Sequence, residues 1–580
     1  MKGSDIVVEM LKHYRVEHIF GLPGDTSMAL YDSLSRTDDI THIMCRDERN
    51  AGFMADAYAR VSGKPGVCEV PSGGGVTYLL PAIAEADGSS VPMVCLTSDV
   101  PLSSDEKSAL TALDQTALLS PVSRFSHRLT GISMIPHIIR KAFRKAVSSP
   151  TGPAALVFPE DILSDKCDGF EPENRDLYAE ESCAAYPAFR ARPEAELVEK
   201  TARLLIQAER PLILAGGGVL LSGAEASLSE LLDHAAIPVI TTINGKGSIR
   251  ETSPLAFGVV GANGAKGASN IAAGEADLIL AVGSRLNASI TLTGKLFNRD
   301  AVLIQVDSDP GKLGNTARAE IAIQADARLF FDDLLSALKD YSKTPLQRSE
   351  WALNSAEKVA AEFAALEKVD DYFCAGTLHP ARIIRTLDQI LPPESIIVSD
   401  AGYSTPYASA YYRIKKEGRH FIDPRAQGGL GYALAAAVGA KYAAPQAPVA
   451  ALFGDGSLGM NIGELETVAR LNLPLILIHF RNDSFGWIEN IQKIYYDRCY
   501  FSTGFDSAVD YARAAGAFGI EARRVESLSG FTGLLKSALS SDRAVFIEVP
   551  VPTGDQLTPL VAPWLADETL VPEDRCKSGY

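Results

Sequence analysis

The chain has 580 residues, of which 46% are apolar and 22% are charged, and its formal net charge is -17. This length exceeds what one hydrophobic core usually holds, so we expect three domains of ordinary size. The composition is typical of a soluble globular protein. The acidic balance argues against nucleic acid as a partner, because no basic stripe offsets it. We find no apolar run long enough to span a bilayer, and we expect no signal peptide at the start of the chain.

The cysteines are scattered and lack CxxC spacing. This pattern favours reduced, mostly buried thiols of a cytoplasmic protein over a disulfide or zinc framework. The eight residues are Cys45, Cys68, Cys95, Cys167, Cys183, Cys374, Cys499 and Cys576.

Helical and strand patterns alternate along most of the chain, which predicts an α/β fold made of three doubly wound domains with parallel sheets. We place these domains at residues 1–165, 190–340 and 375–555, and a C-terminal arm at 556–580. Polar segments at 165–196 and 339–379 read as linkers.

In the first domain, a strand ending at Met44 leads to Glu48, which opens a helix that starts Ala51-Gly52-Phe53. Taken alone, such a carboxylate is more typical of a solvated helix N-terminus, where the helix dipole stabilises it, than of a catalytic group.

In the second domain, the strand Leu212 to Ala215 is followed by Gly216-Gly217-Gly218 and a helix. A glycine turn at a helix start can hold a dinucleotide. Tight packing of the helix explains the same residues equally well, so both interpretations stay open.

The third domain contains two short apolar runs, Pro448 to Phe453 and Leu473 to Phe480, with a helix predicted between them from Ile462 to Asn472. This pattern predicts a βαβ unit with a buried parallel sheet. Asp455 and Asn482 each follow a strand, so we expect them to meet at the carboxyl edge of the sheet, where ligands bind.

A carboxylate, an amide oxygen and a backbone carbonyl are ligands that Mg²⁺ prefers, and phosphate oxygens usually complete its octahedron. Gly454 and Gly456, on either side of Asp455, would let the backbone approach a phosphate and turn sharply into a helix. The stretch therefore predicts a site for a magnesium-bound diphosphate. A plain tight turn is the alternative for such a tripeptide.

Gly454-Asp455-Gly456 followed by Asn482 resembles the thiamine diphosphate signature, and the surrounding sequence is similar to the acetolactate synthase and benzoylformate decarboxylase branch of that family. The resemblance runs from Phe20 to Pro563. It implies that Asp455, the Asn482 side chain and the Ser484 carbonyl bind the metal. The cofactor-binding set it implies is Gly428, Leu430, Gly454, Asp455, Gly456, Ser457, Asn482, Ser484, Phe485 and Gly486. Arg481 departs from the Asn that the family usually has.

The resemblance also implies that Glu48 is the catalytic residue, because Arg46, Glu48 and Ala51 match the pattern around the glutamate that activates the cofactor's aminopyrimidine ring. Asp47 replaces the usual His. Leu430 matches the apolar residue that wedges the cofactor into its bent form, although a core leucine is the commoner fate of any Leu.

For the substrate pocket, the resemblance points to Gly24, Ser72, Thr111, Trp487 and Ile491. Thr111 stands near the position at which acetolactate synthases have a Gln that lines the pocket, and Ile491 stands where acetohydroxyacid synthases have a Trp. Pro71 stands where benzoylformate decarboxylases have a catalytic His. Loss of a shaped pocket wall would alter discrimination between similar substrates, and core packing is an equal alternative for Trp487.

By this resemblance we expect decarboxylation of a 2-oxo acid and transfer of the remaining fragment to a second carbonyl compound. A simple 2-oxo acid decarboxylase or acyloin lyase, and an inactive cofactor-binding regulatory relative, are the alternatives. We expect thiamine diphosphate and Mg²⁺ as cofactors, and active sites between the subunits of a homodimer or homotetramer.

FAD in the central domain is left open, and its role would be structural. Arg285 and Asp307 match the family's FAD contacts, whereas Lys312 and Asn287-Ala288 depart from them.

Overall fold

The computed structural model describes residues 1–167, 176–264, 267–374, 376–505, 509–571 and 575. Part of the first expected linker, part of the C-terminal arm and Cys576 lie outside these residues. The other seven cysteines are free thiols, of which Cys374 and Cys499 are exposed. Within the described ranges, no helix has both the length and the apolar character needed to cross a bilayer.

The described residues contain three six-stranded sheets, and every pairing within these sheets is parallel. The three doubly wound domains expected from the sequence are confirmed.

The first sheet has the strand order β2-β1-β3-β4-β6-β5, so the order reverses direction between β1 and β3. Its strands are β1 (His18–Gly21), β2 (Thr41–Met44), β3 (Gly66–Val70), β4 (Met93–Asp99), β5 (Phe125–Arg128) and β6 (Pro153–Pro159). Its helices are α1 (Gly3–His13), α2 (Met28–Leu34), α3 (Glu48–Ser62), α4 (Gly74–Ser89), α5 (Gln115–Leu119), α6 (Ile135–Val147) and α7 (Glu160–Ser164).

The second sheet has the order β12-β11-β10-β7-β8-β9, which is the order of dinucleotide-binding domains. Its strands are β7 (Pro211–Ala215), β8 (Val239–Thr241), β9 (Ala256–Val259), β10 (Leu278–Val282), β11 (Val302–Asp307) and β12 (Ile321–Gln324). The accompanying helices are α8 (Ala195–Gln207), α9 (Gly217–Ser222), α10 (Glu225–Ala235), α11 (Ala268–Glu275), α12 (Ala288–Thr291), α13 (Ala327–Tyr341) and α14 (Glu350–Ala365).

A short antiparallel pair, β13 (Tyr372–Cys374) and β14 (Thr377–Leu378), precedes the third sheet, whose order is β16-β15-β17-β18-β20-β19. The third sheet comprises β15 (Ile396–Ser399), β16 (Phe421–Ile422), β17 (Val449–Gly454), β18 (Leu475–Arg481), β19 (Glu521–Arg524) and β20 (Val545–Pro550). The remaining helices are α15 (Pro380–Ile390), α16 (Thr405–Tyr411), α17 (Ala433–Ala443), α18 (Asp455–Asn461), α19 (Glu464–Arg470), α20 (Gly486–Tyr495), α21 (Tyr511–Ala517), α22 (Leu528–Leu539) and α23 (Ala562–Asp567).

Strand β7 shows why these strands read as continuous apolar runs. Ile213 and Ala215 pack into one buried cluster, whereas Leu212 and Leu214 pack into a second. Successive side chains of a strand point to opposite faces, so both faces of the sheet are covered and both must be apolar.

The helix predicted from Ile462 to Asn472 is wrong in its bounds. Helix formation begins already at Asp455, and α18 and α19 are two separate short helices. Gly463 is the N-cap of α19, and a glycine between two helical segments disfavours one continuous helix.

The chain divides into two compact units. Unit 1 contains residues 1–189, 424–446 and 461–473, and unit 2 contains residues 190–423, 447–460 and 474–580. Helices α17 and α19 therefore belong to unit 1, together with the first sheet.

Candidate functional site

Asp455 lies at the junction of β17 and α18 in unit 2, as the first residue of the helix. The residue as a whole is 2% exposed. One oxygen, Oδ2, accepts the backbone N–H groups of Asn482 at 2.8 Å and Asp483 at 2.9 Å, both just beyond β18. The strand ends thus meet as the parallel pattern predicted, and this carboxylate joins them.

One of the two terminal atoms of the Asn482 side-chain amide lies 3.0 Å from the Ser484 carbonyl oxygen and 3.1 Å from Asp455 Oδ2. If the amide nitrogen occupies this position, it donates to both oxygens. If the amide oxygen occupies it, three oxygens face one another, which is favourable only with a cation among them. Carboxylate, amide and carbonyl oxygens are the donors that Mg²⁺ takes, so the residues present fit a magnesium ion.

The backbone after β18 brings the Ser484 carbonyl into this group. Asp483 has a positive φ of 53°, a left-handed conformation that Asp tolerates better than most residues. Among the described residues, no cluster of three or more His, Cys, Asp and Glu side chains is suited to a metal. The group of Asp455, Asn482 and Ser484 is not such a cluster, because it contains only one carboxylate side chain.

His479 of β18 is a neighbour of Asp455 that the sequence interpretation missed. Its Nε2 atom lies 3.0 Å from Asp455 Oδ1, and both side chains are fully buried. Its ring packs edge-on against Tyr511, with 4.6 Å between the centroids. The sequence contained one signal for this contact: His479 interrupts the apolar run of a buried strand, and a buried polar ring needs a hydrogen-bond partner.

The glycines of this site serve close packing. A Cβ added to Gly456 would lie 2.4 Å from the Phe485 ring, and one added to Gly486 would lie 2.4 Å from Asn482 Nδ2. Neither these residues nor Gly454 are among the glycines with positive φ. The sharp turn expected at Gly454 and Gly456 therefore needs no special backbone conformation.

The other cofactor-binding candidates of unit 2 lie on the same segments. Ser457 is the third residue of α18 and is buried. Phe485 packs against Phe505, with 4.8 Å between the ring centroids. The Ser484 hydroxyl donates to Glu489 Oε2 at 2.9 Å.

Glu48 is the first residue of α3 in unit 1, and Asp47 caps that helix by accepting the Arg49 N–H at 2.8 Å. Partial burial raises the pKa of the Glu48 carboxyl, the negative charge of Asp47 raises it further, and a backbone hydrogen bond opposes both. The carboxyl is therefore closer to a proton-exchanging state near neutral pH than a solvated glutamate is.

Two of the sequence-predicted site residues of unit 1, Glu48 and Gly24, lie near Pro71 at one edge of the first sheet. A Cβ added to Gly75 would lie 3.3 Å from Glu48 Oε1 and 2.8 Å from the Pro71 ring, and one added to Gly24 would lie 2.4 Å from Pro71 Cβ. This edge is the point at which the strand order reverses, where open α/β sheets bind ligands.

A row of hydroxyl groups runs along the same edge. The Oγ atom of Ser72 lies 2.7 Å from Thr111 Oγ1 and 3.1 Å from Thr26 Oγ1, which is 2.8 Å from Ser98 Oγ. Thr111 has a positive φ of 69°, which is unusual for a β-branched residue. The structure thus brings the candidates Ser72 and Thr111 together and adds Thr26 and Ser98.

Glu69 of β3 is a second buried carboxyl in unit 1 that the sequence interpretation missed. Tyr31 donates to its Oε2 at 2.6 Å and lies 3.0 Å from His42 Nε2. Burial raises the pKa of Glu69 to about 8 and lowers the pKa of His42 to about 4. The network is therefore uncharged near neutral pH.

Gly428 and Leu430 lie in the loop before α17, in unit 1. Gly428 has a φ of 66°, and the Leu430 side chain is partly exposed. The carboxylate of Glu85 accepts the N–H of Gln427 at 2.7 Å. The loop is anchored, and the role of Leu430 as a wedge stays a prediction.

Trp487 and Ile491 of α20 pack against the C-terminal arm within unit 2. Trp487 lies 4.4 Å from Trp564, centroid to centroid, and Ile491 joins the same apolar cluster with Val561. Lys493 on the same helix pairs with Glu568 at 2.8 Å. The arm therefore covers the helix that carries both candidates.

Comparisons with known proteins agree with this geometry. Three family models match the chain: the N-terminal thiamine pyrophosphate-binding domain over residues 1–118, the central domain of the same enzymes over 198–334, and the C-terminal thiamine pyrophosphate-binding domain over 400–549. The chain belongs to the thiamine pyrophosphate enzymes, and it is an acetolactate synthase-like, thiamine diphosphate-dependent decarboxylase or carboligase.

Three relatives named acetolactate synthase match nearly the whole chain. The chain is 32% identical to the probable acetolactate synthase large subunit of Methanococcus aeolicus over 97% of this chain and 95% of the relative. It is 30% identical to the acetolactate synthase of Arthrospira platensis over 97% and 96%. It is 29% identical to the large subunit of acetolactate synthase isozyme 1 of Escherichia coli over 98% of each chain.

Proposed function

We propose that the protein decarboxylates a 2-oxo acid in a magnesium-dependent reaction and joins the remaining fragment to a second carbonyl compound. The observation that carries this proposal is the oxygen set of Asp455, Asn482 and Ser484 at the ends of β17 and β18. These residues would hold Mg²⁺ and, through it, the diphosphate of the cofactor.

When bound, thiamine diphosphate supplies an electron sink for the loss of CO₂. Glu48 would hold and release a proton, and its raised pKa suits a group that exchanges protons near the working pH. Asp455 and the Asn482 amide would fix the cofactor tail, so that the reacting ring is positioned before substrate binds. The apolar contact between Trp487 and Trp564 would exclude water on the α20 side of the site.

Two features support carboligation over simple decarboxylation. The relatives named acetolactate synthase match over nearly their whole length. In addition, Pro71 and the hydroxyl row at Ser72 occupy the place where the resemblance puts the catalytic His of benzoylformate decarboxylases.

The second candidate is a non-oxidative 2-oxo acid decarboxylase or acyloin lyase. It is favoured by Thr111 and Ile491, which replace the Gln and the Trp of the synthases. Retention of Glu48 speaks against the inactive regulatory relative.

Incubation of the purified protein with pyruvate, thiamine diphosphate and Mg²⁺ separates these functions. Acetolactate as the product supports the proposal. Acetaldehyde without acetolactate supports the second candidate, and no turnover with any of a panel of 2-oxo acids supports the regulatory one.

FAD in the central domain forms a separate proposal, in a structural role. The strand order of the second sheet supports it. The glycine turn does not, because a Cβ on Gly216 would lie 2.1 Å from the Gly283 carbonyl and one on Gly218 2.6 Å from Gly283 Cα. Packing alone therefore requires these glycines. The visible absorbance of the purified protein tests this proposal. Flavin absorbance supports bound FAD, and its absence contradicts it.

We further propose a cytoplasmic homodimer or homotetramer with its active sites between subunits, as the resemblance implies. Light scattering of the purified protein measures the oligomeric state. A monomer that turns over pyruvate would refute this part of the proposal.

A further inference from the structure

Glu464 is a fully buried carboxylate on α19, in the same compact unit as the first sheet. It carries no role in the site described above. Its neighbours are the residues that flank Glu48: Arg46, two positions before it, and Asn50, two positions after it.

The contacts of Glu464 place hydrogen-bond donors on both of its oxygens. The Arg46 backbone N–H donates to Oε2 at 3.2 Å, and Asn50 Nδ2 donates to the same atom at 2.7 Å. The Thr467 hydroxyl donates to Oε1 at 2.6 Å. Asn50 and Thr467 are themselves buried, so these donors depend on Glu464 for their partner.

A second contact ties the same helix to the same corner. Arg470 Nη2 donates to the Met44 carbonyl at 2.6 Å, at the end of β2. Helix α19 therefore holds the chain at the end of the strand, at Arg46 and at Asn50, while Glu48 lies between the held points.

We propose that Glu464 is a positioning residue that fixes the strand-to-helix corner from which Glu48 reaches the cofactor ring. It acts through hydrogen-bond geometry and not through its charge. The proposal rests on the proposed function in so far as Glu48 activates the cofactor. A displacement of about 1 Å in such a group costs roughly 100-fold in rate.

Three variants separate geometry from charge. Glu464→Gln keeps the length and one acceptor oxygen for Arg46 and Asn50 but removes the charge. Glu464→Asp keeps the charge but is one methylene too short to hold the corner. Glu9→Asp is the matched control, because it makes the same one-methylene change in unit 1 at a residue that pairs with Lys12 on α1 and has no contact with the corner.

The first readout is hydrogen exchange, followed by mass spectrometry, of the peptide that spans residues 44–54. It needs neither cofactor nor turnover. We expect faster exchange of the Arg46 amide region in Glu464→Asp and wild-type exchange in Glu464→Gln and Glu9→Asp. Wild-type protection in Glu464→Asp, or equal loss in Glu464→Asp and Glu464→Gln, would overturn the proposal.

The second readout is the steady-state rate with pyruvate together with cofactor affinity by calorimetry. We expect kcat to fall roughly 10- to 100-fold in Glu464→Asp, with KM and cofactor affinity within about twofold of wild type, and Glu464→Gln to restore kcat. Glu464→Asp with wild-type kcat overturns the positioning role. If wild type itself has no turnover, the proposed function fails, while the exchange readout still decides whether Glu464 holds the corner.

Discussion

Replacement of Glu48 by Gln tests the catalytic assignment in unit 1. The change is nearly isosteric, and it removes the negative charge of the carboxylate together with its capacity to exchange a proton. Proton transfer by a positioned group contributes about 10²- to 10⁴-fold to rate, which corresponds to about 2.7–5.4 kcal/mol of barrier. We therefore expect turnover of pyruvate to fall by that factor.

Stability should change little in this variant, because two effects oppose each other. Loss of a negative charge from the first turn of α3 removes a favourable interaction with the helix dipole of about 0.3–1 kcal/mol. Loss of a partly buried charge removes a desolvation cost, the same cost that raises the pKa of Glu48. Cofactor affinity should also persist, because the diphosphate contacts are made by Asp455 and Asn482.

The assay measures acetolactate formation, thermal unfolding and calorimetric cofactor binding in wild type and in Glu48→Gln. Asp47→Asn is the matched control, because Asn also caps a helix and the turnover should be kept. The negative charge of Asp47 raises the pKa of Glu48. Its removal should therefore lower that pKa and move the acidic limb of the pH–rate profile to lower pH. Wild-type turnover in Glu48→Gln would refute the assignment.

Three further results are expected. The folded-state pKa of Glu69 is raised from 4.5 to about 8, so the folded protein keeps a proton that the unfolded chain releases. The free energy of unfolding therefore falls as pH rises between these values, by roughly 4–5 kcal/mol at most. Denaturant midpoints should show Glu69→Gln gaining stability relative to wild type between pH 5 and pH 8, and an equal difference at both pH values would contradict this. Gly486→Ala should weaken Mg²⁺-dependent cofactor binding at least tenfold in calorimetry, because its Cβ would lie 2.4 Å from Asn482 Nδ2, whereas Gly459→Ala on α18 meets no atom within 4 Å and should bind as wild type does. Cofactor with Mg²⁺ at 100 times its Kd should stabilise the fold by about 2.7 kcal/mol, and a melting-temperature rise that survives EDTA would contradict metal dependence.

The architecture could be predicted from the sequence, because apolar runs of strand length that alternate with helical patterns are compatible with few folds other than parallel α/β sheets. The same logic brought Asp455 and Asn482 together, since parallel strands end at one edge. The placement of Glu48 at the start of α3 followed from its position after a strand.

The supporting contacts could not be predicted in this way. Glu464 and Asn50 are 414 positions apart, and a local hydrophobic pattern cannot predict a contact between residues so far apart in the chain. The partner of His479 depends on the register between β17 and β18, in which His479 pairs with Phe453, two residues before Asp455. The closeness of Gly486 to Asn482 and of Gly456 to Phe485 likewise depends on three-dimensional packing, which turn propensity does not report.

The most direct test of the account is a calorimetric titration of thiamine diphosphate into the purified protein, with and without Mg²⁺, for wild type and Asp455→Ala. We expect binding by wild type only when Mg²⁺ is present, and none by Asp455→Ala, while both proteins unfold cooperatively on heating. Binding of equal affinity by the two proteins, or no binding by wild type with Mg²⁺ present, would contradict the assignment of Asp455 as the residue that holds the metal and the cofactor tail.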